Sequence, residues 1–148
     1  MIDLKMSWSK TELEKIKRHP KQFREAIGEA IKNSLYNAER YAKESFGKPG
    51  HLKVKTGALR RSINTTILER GARFIGTMGT NLLYGRAHEL GAVIRPKSGK
   101  YLKFQIDGKW VSVPKVVIPK RPYLKPALEK MDLNEELRRQ VRKRIGLE

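Results

Sequence analysis

The sequence predicts an α+β domain in which a long N-terminal helix packs on an antiparallel sheet of β-hairpins, with a further helix at the C-terminal end. Three observations predict it: helical apolar spacing between residues 20 and 46, alternating segments between residues 63 and 113, and a second helical segment after residue 130. The chain of 148 residues has the size of one domain. We divide it into an N-terminal arm or short helix over residues 1–19, a core over 20–128 and a C-terminal helix over 129–148.

Two helices are predicted before residue 47. Thr11 and Glu14 have the spacing of a capping box, which predicts a short helix that ends near Arg18, before Pro20. The next helix is long and ends before Gly47. Its apolar stripe predicts the buried face and consists of Phe23, Ile27, Ile31, Leu35, Ala38, Ala42 and Phe46.

A loop and a short basic motif follow the long helix. Residues 46–55 contain two glycines, a proline and three lysines, which predicts an exposed loop. The motif TGALRRSI, residues 56–63, predicts a turn or short helix that Gly57 permits. We expect Leu59 and Ile63 to point into the core, and Arg60 and Arg61 to lie outside it.

Two hairpins are predicted in the middle of the chain. Residues 63–68 and 74–78 alternate around Gly71, and a short helix over residues 83–90, closed by Gly91, comes next. The segment YLKFQIDGKWVSV, residues 101–113, places Asp107-Gly108 as a type I′ turn between two strands. Pairing across that turn sets four apolar residues on one face, namely Leu102, Phe104, Val111 and Val113.

Trp110 falls on the opposite face of this second hairpin. Two alternatives remain open for it: an interface with a partner, or packing under the long helix or a loop. Beyond the hairpin, Pro122 has the position of a first-turn proline for a helix over residues 123–130. A last helix over residues 134–145 begins with glutamates and ends with arginines and lysine, which suits the helix dipole.

Composition narrows the class of partner. Lys and Arg number 33 against 15 Asp and Glu, a formal net charge of +18, which favours polyanionic partners. The absence of cysteine excludes disulfides, thiolate zinc sites and a cysteine nucleophile. No apolar run has the length of a signal peptide or a spanning helix, so we expect synthesis in the cytoplasm and no membrane partner.

The sequence gives no pattern of an enzyme. Its histidines, His19, His51 and His88, lack the spacing of metal ligands. His88 and Glu89 are neighbours on a predicted helix and point in different directions, and a hydrolase would need a convergent acid–base cluster. The segment GTMGTN, residues 76–81, is neither a P-loop nor a dinucleotide fingerprint. We therefore expect no catalysis, no metal and no cofactor.

A sequence-independent contact with DNA is an open alternative. Nine Lys or Arg residues and one acidic residue, Asp107, lie between residues 92 and 125, and such a stripe suits a phosphate backbone. The aromatic residues of this segment do not share one strand face, and no helix-turn-helix or zinc-finger pattern is present. The alternative is therefore a small basic protein that binds nucleic acid without reading bases.

Three motifs in one order resemble the tail-component family of tailed bacteriophages, which is related to the virion morphogenesis proteins of Mu-like phages. They are TGALRRSI, then GTNLLYGRAHELG over residues 79–91, then IPKRPYLKPAL over residues 118–128. The resemblance covers residues 56–128, and the preceding long helix is where the family has it. Three positions depart from the family pattern, which has Ala where this chain has Gly85, Ala where it has Lys120 and Phe where it has Tyr123. We expect them to leave the fold intact, and they leave open which interface is used.

The resemblance implies a structural role in head–tail joining or tail completion, at the neck or tail terminus of the virion. It also implies self-association into a ring around the DNA channel, typically a hexamer, between head-side connector or adaptor proteins and tail tube or terminator proteins. Irregular loops are predicted over residues 46–55 and 92–100, and both are predicted to order on assembly. The residues that we expect to face a neighbouring subunit or DNA are Arg60, Arg61, His88, Glu89, Trp110, Arg121 and Tyr123.

Overall fold

The computed structural model describes residues 6–71 and 73–146 and confirms the α+β class, with a long N-terminal helix, antiparallel hairpins and a C-terminal helix. The helices of this part of the chain are α1 Lys10–Arg18, α2 Pro20–Ser45, α3 Ala58–Ser62, α4 Leu83–Leu90, α5 Lys125–Glu129 and α6 Leu133–Ile145. The strands are β1 Asn64–Arg70, β2 Arg73–Gly79, β3 Ala92–Ile94, β4 Leu102–Ile106, β5 Lys109–Val113 and β6 Val116–Ile118.

The capping box of α1 lies two residues before the predicted one. Ser9 caps the helix, its hydroxyl accepts from the amide of Glu12 at 3.2 Å, and the Glu12 carboxylate accepts from the Ser9 amide at 2.8 Å. The prediction of Thr11 and Glu14 was therefore wrong. Both pairs fit the same sequence pattern, and Ser9 is the residue with extended backbone immediately before the helix.

Helix α2 contributes to two buried clusters. The central core consists of Ala38, Ala42, Leu52, Leu59, Ile63, Tyr123 and Ala127. The helical core joins α2 to α6 and consists of Ala26, Ala30, Leu137 and Val141. The predicted stripe is confirmed at its C-terminal half, where Leu35, Ala38 and Ala42 are buried. In the N-terminal half the fully buried residues are the alanines, with Phe23 and Ile27 half-buried beside them.

The segment after α2 has no helix or strand, as predicted, but it is not wholly exposed. Leu52 is only 7% exposed and belongs to the central core. The amide of Gly47 donates to the carbonyl of Leu52 at 2.8 Å, which closes the segment on itself. The loop between residues 46 and 55 is therefore attached to the core by two apolar side chains, Leu52 and Phe46.

The first hairpin packs one of its faces on α2. Strands β1 and β2 pair antiparallel from Asn64 opposite Gly79 to Arg70 opposite Arg73. Gly76 lies so close to the side chains of Leu35 and Ile31 that a Cβ there would meet Leu35 Cδ1 at 2.4 Å. This glycine thus allows the hairpin to approach the long helix.

The remaining strands form two further two-stranded sheets rather than extensions of the first. Strand β4 pairs with β5 in the predicted register, Leu102 opposite Val113 and Phe104 opposite Val111, and positive φ angles at Asp107 (49°) and Gly108 (77°) fit the I′ turn. Strand β3 pairs with β6, Ala92 opposite Ile118. The prediction of an irregular loop over residues 92–100 was therefore wrong for residues 92–94. We refer to residues 92–118 as the arm.

The C-terminal helices differ slightly from the prediction. Helix α5 begins at Lys125, so Pro126 and not Pro122 occupies its first turn. Helix α6 begins one residue earlier than predicted, and the Asp132 carboxylate caps it by accepting from the Glu135 amide at 2.9 Å.

Burial alone would raise the pKa of Glu136 on α6, but hydrogen bonds from Gln140, Asn33 and Arg139 lower that pKa below its usual value.

Candidate functional site

The motif TGALRRSI forms a turn that separates its two arginines. Gly57 has a left-handed backbone (φ 73°) at the N-terminus of α3, and Leu59 and Ile63 are buried, as predicted. Arg61 folds back, because its guanidinium donates to the Thr56 carbonyl at 3.1 Å. Arg60 and Arg61 are both exposed. Arg61 therefore stabilises the turn, whereas Arg60 lines the groove described next.

Arg60, His88 and Arg121, three of the predicted residues, line the same groove of about 540 Å³, which we name the basic groove. Its other charged lining residues are Lys53 and Lys55. Its apolar and aromatic lining residues are Phe46, Leu52, Val54, Ala58, Leu59 and Tyr84. Sequence reasoning did not select Lys53, Lys55 or Tyr84. The signal available for the two lysines was their alternation with Leu52 and Val54 directly before the motif.

Helix α4 and the segment after β6 hold the groove together. The amide of Arg121 donates to the carbonyl of His88 at 2.8 Å, which joins the end of the arm to α4. The rings of Tyr84 and His88 meet edge to face with centroids 6.3 Å apart. Their spacing of four residues on α4 puts both on the face that borders the groove.

Glu89 has a structural contact inside the chain. Its carboxylate accepts from the backbone amides of Tyr123 (2.8 Å), Leu124 (3.0 Å) and Lys125 (2.9 Å). These amides belong to the start of α5, where no residue of α5 can accept from them. Glu89 therefore attaches α4 to α5, and its expected role at an interface is corrected to this internal one.

Tyr123 also lies inside the chain. It is only 3% exposed and belongs to the central core, with its ring edge to face against Phe46 at 5.3 Å between centroids. Its expected role in facing a partner is therefore corrected. Two of the three residues that depart from the resembled pattern meet in this core, because a Cβ on Gly85 would lie 2.9 Å from the Tyr123 hydroxyl.

The burial of Tyr123 predicts a loss of stability at high pH. Burial, together with the nearby Glu89 and Tyr84, raises the pKa of its phenol to about 12. Between the ordinary value of 10.0 and about 12, the unfolded chain loses this proton while the folded chain keeps it. The free energy of unfolding should therefore fall as the pH rises through that window. Urea unfolding of the wild type and Tyr123→Phe across it should show a smaller fall in the variant, and parallel curves would contradict the assignment.

The arm extends from the body of the protein with little burial. No residue between 92 and 118 is buried, and among the described residues no side-chain hydrogen bond or salt bridge involves this segment. Trp110 is 72% exposed, so it does not pack under the long helix or a loop. The packing alternative is therefore wrong, and the interface with a partner stays a prediction.

Apolar and basic residues are arranged differently on the two faces of the arm. The tip carries a half-buried apolar face formed by Leu102, Phe104, Val111 and Val113. On the opposite face, exposed Lys103 and Gln105 lie across from Ser112 and Trp110. Nearer the body, Val93 (56% exposed) pairs with Val117 (59% exposed). The arm thus presents apolar side chains to solvent along its length.

Two further findings concern metals and membranes. In residues 6–71 and 73–146, no group of three or more His, Asp or Glu side chains is placed to hold a metal ion. Within the same ranges, no helix combines the length and the hydropathy needed to cross a membrane.

Comparison with known proteins gives no match. No known protein family, no curated protein and no solved structure is significantly similar to this chain. The resemblance carried by the three motifs therefore supports a proposal and does not establish a family.

Proposed function

We propose that this chain is a structural virion protein of a tailed phage or prophage. It acts in head–tail joining or tail completion and assembles as a ring, typically a hexamer, at the neck or tail terminus. The observation that carries the proposal is the arm, a two-stranded ribbon with exposed apolar residues and no place in either core. The three motifs with their family order support the same role.

A ribbon of this kind is suited to an interface. A two-stranded hairpin alone in water is marginally stable, and it needs a third layer or strand to cover its apolar face. Here Trp110 and the pair of Val93 and Val117 are left for another molecule to cover. Tryptophan is among the residues that contribute most to interfaces. In the proposed ring, the arm contacts a neighbouring subunit or the adjacent connector, adaptor, tube or terminator protein.

The charge of the arm fits a position near the DNA channel or a negatively charged ring. It contains six Lys or Arg residues against one acidic residue, Asp107. Sequence-independent attraction to phosphates or to an acidic partner surface needs no other feature. The virion is the proposed site of action, and the host cytoplasm is where the protein is made and assembled.

The experiment is electron microscopy of particles made with the gene deleted, and with the tip of the arm shortened by replacing residues 102–113 with Asn-Gly. Both should give filled heads separated from tails, or tails of irregular length. The shortened protein should keep the thermal unfolding of the wild type, because the tip contributes nothing to either core. Normal infectious particles after deletion would refute the proposal.

The second candidate is a small basic protein that binds nucleic acid without sequence preference. The six basic residues spread along the exposed arm favour this nucleic-acid-binding function. This candidate predicts that the isolated monomer binds oligonucleotides tightly, with an affinity that falls steeply as the salt concentration increases. Weak binding by the monomer at physiological salt would leave the assembly role as the better account.

A further inference from the structure

The basic groove is separate from the arm, and its lining combines positive charge with apolar surface. We propose that it binds an acidic peptide segment of a partner protein that carries at least one large apolar side chain. The inference deepens the proposed function by naming the chemistry of one partner, and it relies on that function only for the partner's place in the virion.

The charge of the groove is unbalanced. Its lining includes Lys53, Lys55, Arg60 and Arg121 together with His88, and no Asp or Glu. Among the described residues, none of these five side chains forms a salt bridge. Glu89, the nearest acid in sequence to His88, is already bound to three amides of the α5 segment. Carboxylates entering the groove would therefore meet uncompensated cations.

The apolar lining favours a peptide over a nucleic acid strand. Val54 is 44% exposed and Tyr84 is 45% exposed, so both keep surface that an apolar side chain would cover. Phe46 is turned towards the central core, against Tyr123, and Tyr84 is the other aromatic residue of the lining. Single strands are bound by several aromatic platforms on which successive bases stack. Aliphatic surface between cations suits an aliphatic or aromatic side chain between carboxylates.

The size and construction of the groove fit a short segment. A volume of about 540 Å³ lies in the range of sites that enclose small ligands. Three parts of its wall are fixed by internal contacts: Leu52 is in the core, Gly57 fixes the turn before Arg60, and the Arg121 amide is bonded to the His88 carbonyl. Preformed walls lower the entropy lost when the peptide binds.

The test is fluorescence anisotropy of the full chain with a fluorescein-labelled hexapeptide, Glu-Glu-Leu-Phe-Glu-Glu, at physiological ionic strength. Arg60→Glu and Arg121→Glu should each weaken binding by about tenfold or more, since a charge-assisted hydrogen bond is replaced by repulsion. Arg73→Glu is the matched control, because Arg73 is exposed on β2, lies outside the groove and makes the same change in net charge. It should change the affinity by less than about twofold.

Two further ligands complete the test. A peptide with Ser-Ser in place of Leu-Phe should bind about fivefold more weakly or worse, because the apolar contribution is removed. Deoxythymidine decamer should compete poorly. The proposal is overturned if the labelled peptide does not bind, if Arg73→Glu weakens binding as much as the groove variants, or if the decamer displaces the peptide at equal concentration.

This test and the electron microscopy can fail separately. Normal particles after gene deletion, with peptide binding still dependent on Arg60 and Arg121, would refute the virion role and leave the groove intact. Defective particles with no peptide binding would refute the groove and leave the virion role.

Discussion

Replacing Glu89 with alanine is expected to lower the free energy of unfolding by about 3 kcal/mol. The substitution removes the acceptor of three backbone amides at once, those of Tyr123, Leu124 and Lys125. Hydrogen bonds to a charged group contribute about 1.5–3 kcal/mol each, and water can replace part of the loss at the exposed end near Lys125. Urea unfolding followed by circular dichroism measures the effect.

Two controls sharpen this prediction. Glu14→Ala removes a carboxylate from the exposed surface of α1 and should change stability by less than about 0.5 kcal/mol. Glu89→Gln keeps an oxygen acceptor without the charge and should fall between the wild type and Glu89→Ala. If Glu89→Ala unfolds at the same urea concentration as Glu14→Ala, the carboxylate does not hold α5 in place.

Replacing Gly85 with alanine is expected to cost about 2 kcal/mol, although alanine favours a helix. The new Cβ would lie 2.6 Å from Thr80 Cγ2, 2.9 Å from the Tyr123 hydroxyl and 3.0 Å from Leu59 Cδ1. Thr80 has little room to move, because its hydroxyl is bonded to that of Ser62 at 2.6 Å and accepts from the Leu82 amide at 3.1 Å. Overpacking of this kind costs about 1–3 kcal/mol.

The double variant Gly85→Ala with Tyr123→Phe should lose less stability than the sum of its parts. Phenylalanine removes the hydroxyl that would contact the new methyl group, and that hydroxyl is buried without a hydrogen-bond partner in the described structure. Tyr123→Phe alone should therefore be neutral or stabilising. A double-mutant cycle should give a coupling of at least about 0.5 kcal/mol. Additive effects would show that the two positions are independent.

If the proposed family is correct, this coupling would account for two of the three positions at which the chain departs from its pattern. The family pattern has Ala and Phe at the positions of Gly85 and Tyr123, and here both residues differ and their atoms meet in the central core. The sequence alone left open which interface these residues affect. The structure places both inside the chain, where glycine makes room for the tyrosine hydroxyl.

Local sequence patterns predicted the elements that depend on neighbouring residues. The apolar spacing of α2 and the Asp107-Gly108 turn each determine their structure within a few residues, and both predictions are confirmed. The predicted start of α1 was wrong because Ser9 with Glu12 and Thr11 with Glu14 both have the spacing of a capping box. The sequence pattern alone does not choose between them. Strands β3 and β6 have three residues each and pair across the intervening tip of the arm, so neither carries a detectable alternation.

The candidate site was predictable in three of its residues but not in its arrangement. Arg60, His88 and Arg121 were chosen from separate motifs, and only the folded chain brings them to one groove. Glu89 and Tyr123 were chosen from the same motifs, yet both have internal roles that depend on contacts more than thirty positions apart in sequence. A motif indicates that a residue matters without indicating whether it packs inward or faces a partner.

In the proposed assembly, the open edges of the arm would affect when copies of the chain associate. Strands at an edge present unpaired amides and carbonyls, and these recruit any extended chain that approaches. Lysines at 100, 103, 109 and 115 surround the exposed strands, and like charges on two arms repel within about 8 Å at physiological salt. In the proposed assembly, this repulsion would keep copies of the protein apart until an anionic surface neutralises the lysines. The charges proposed to suit the partner would thus also delay association of one arm with another.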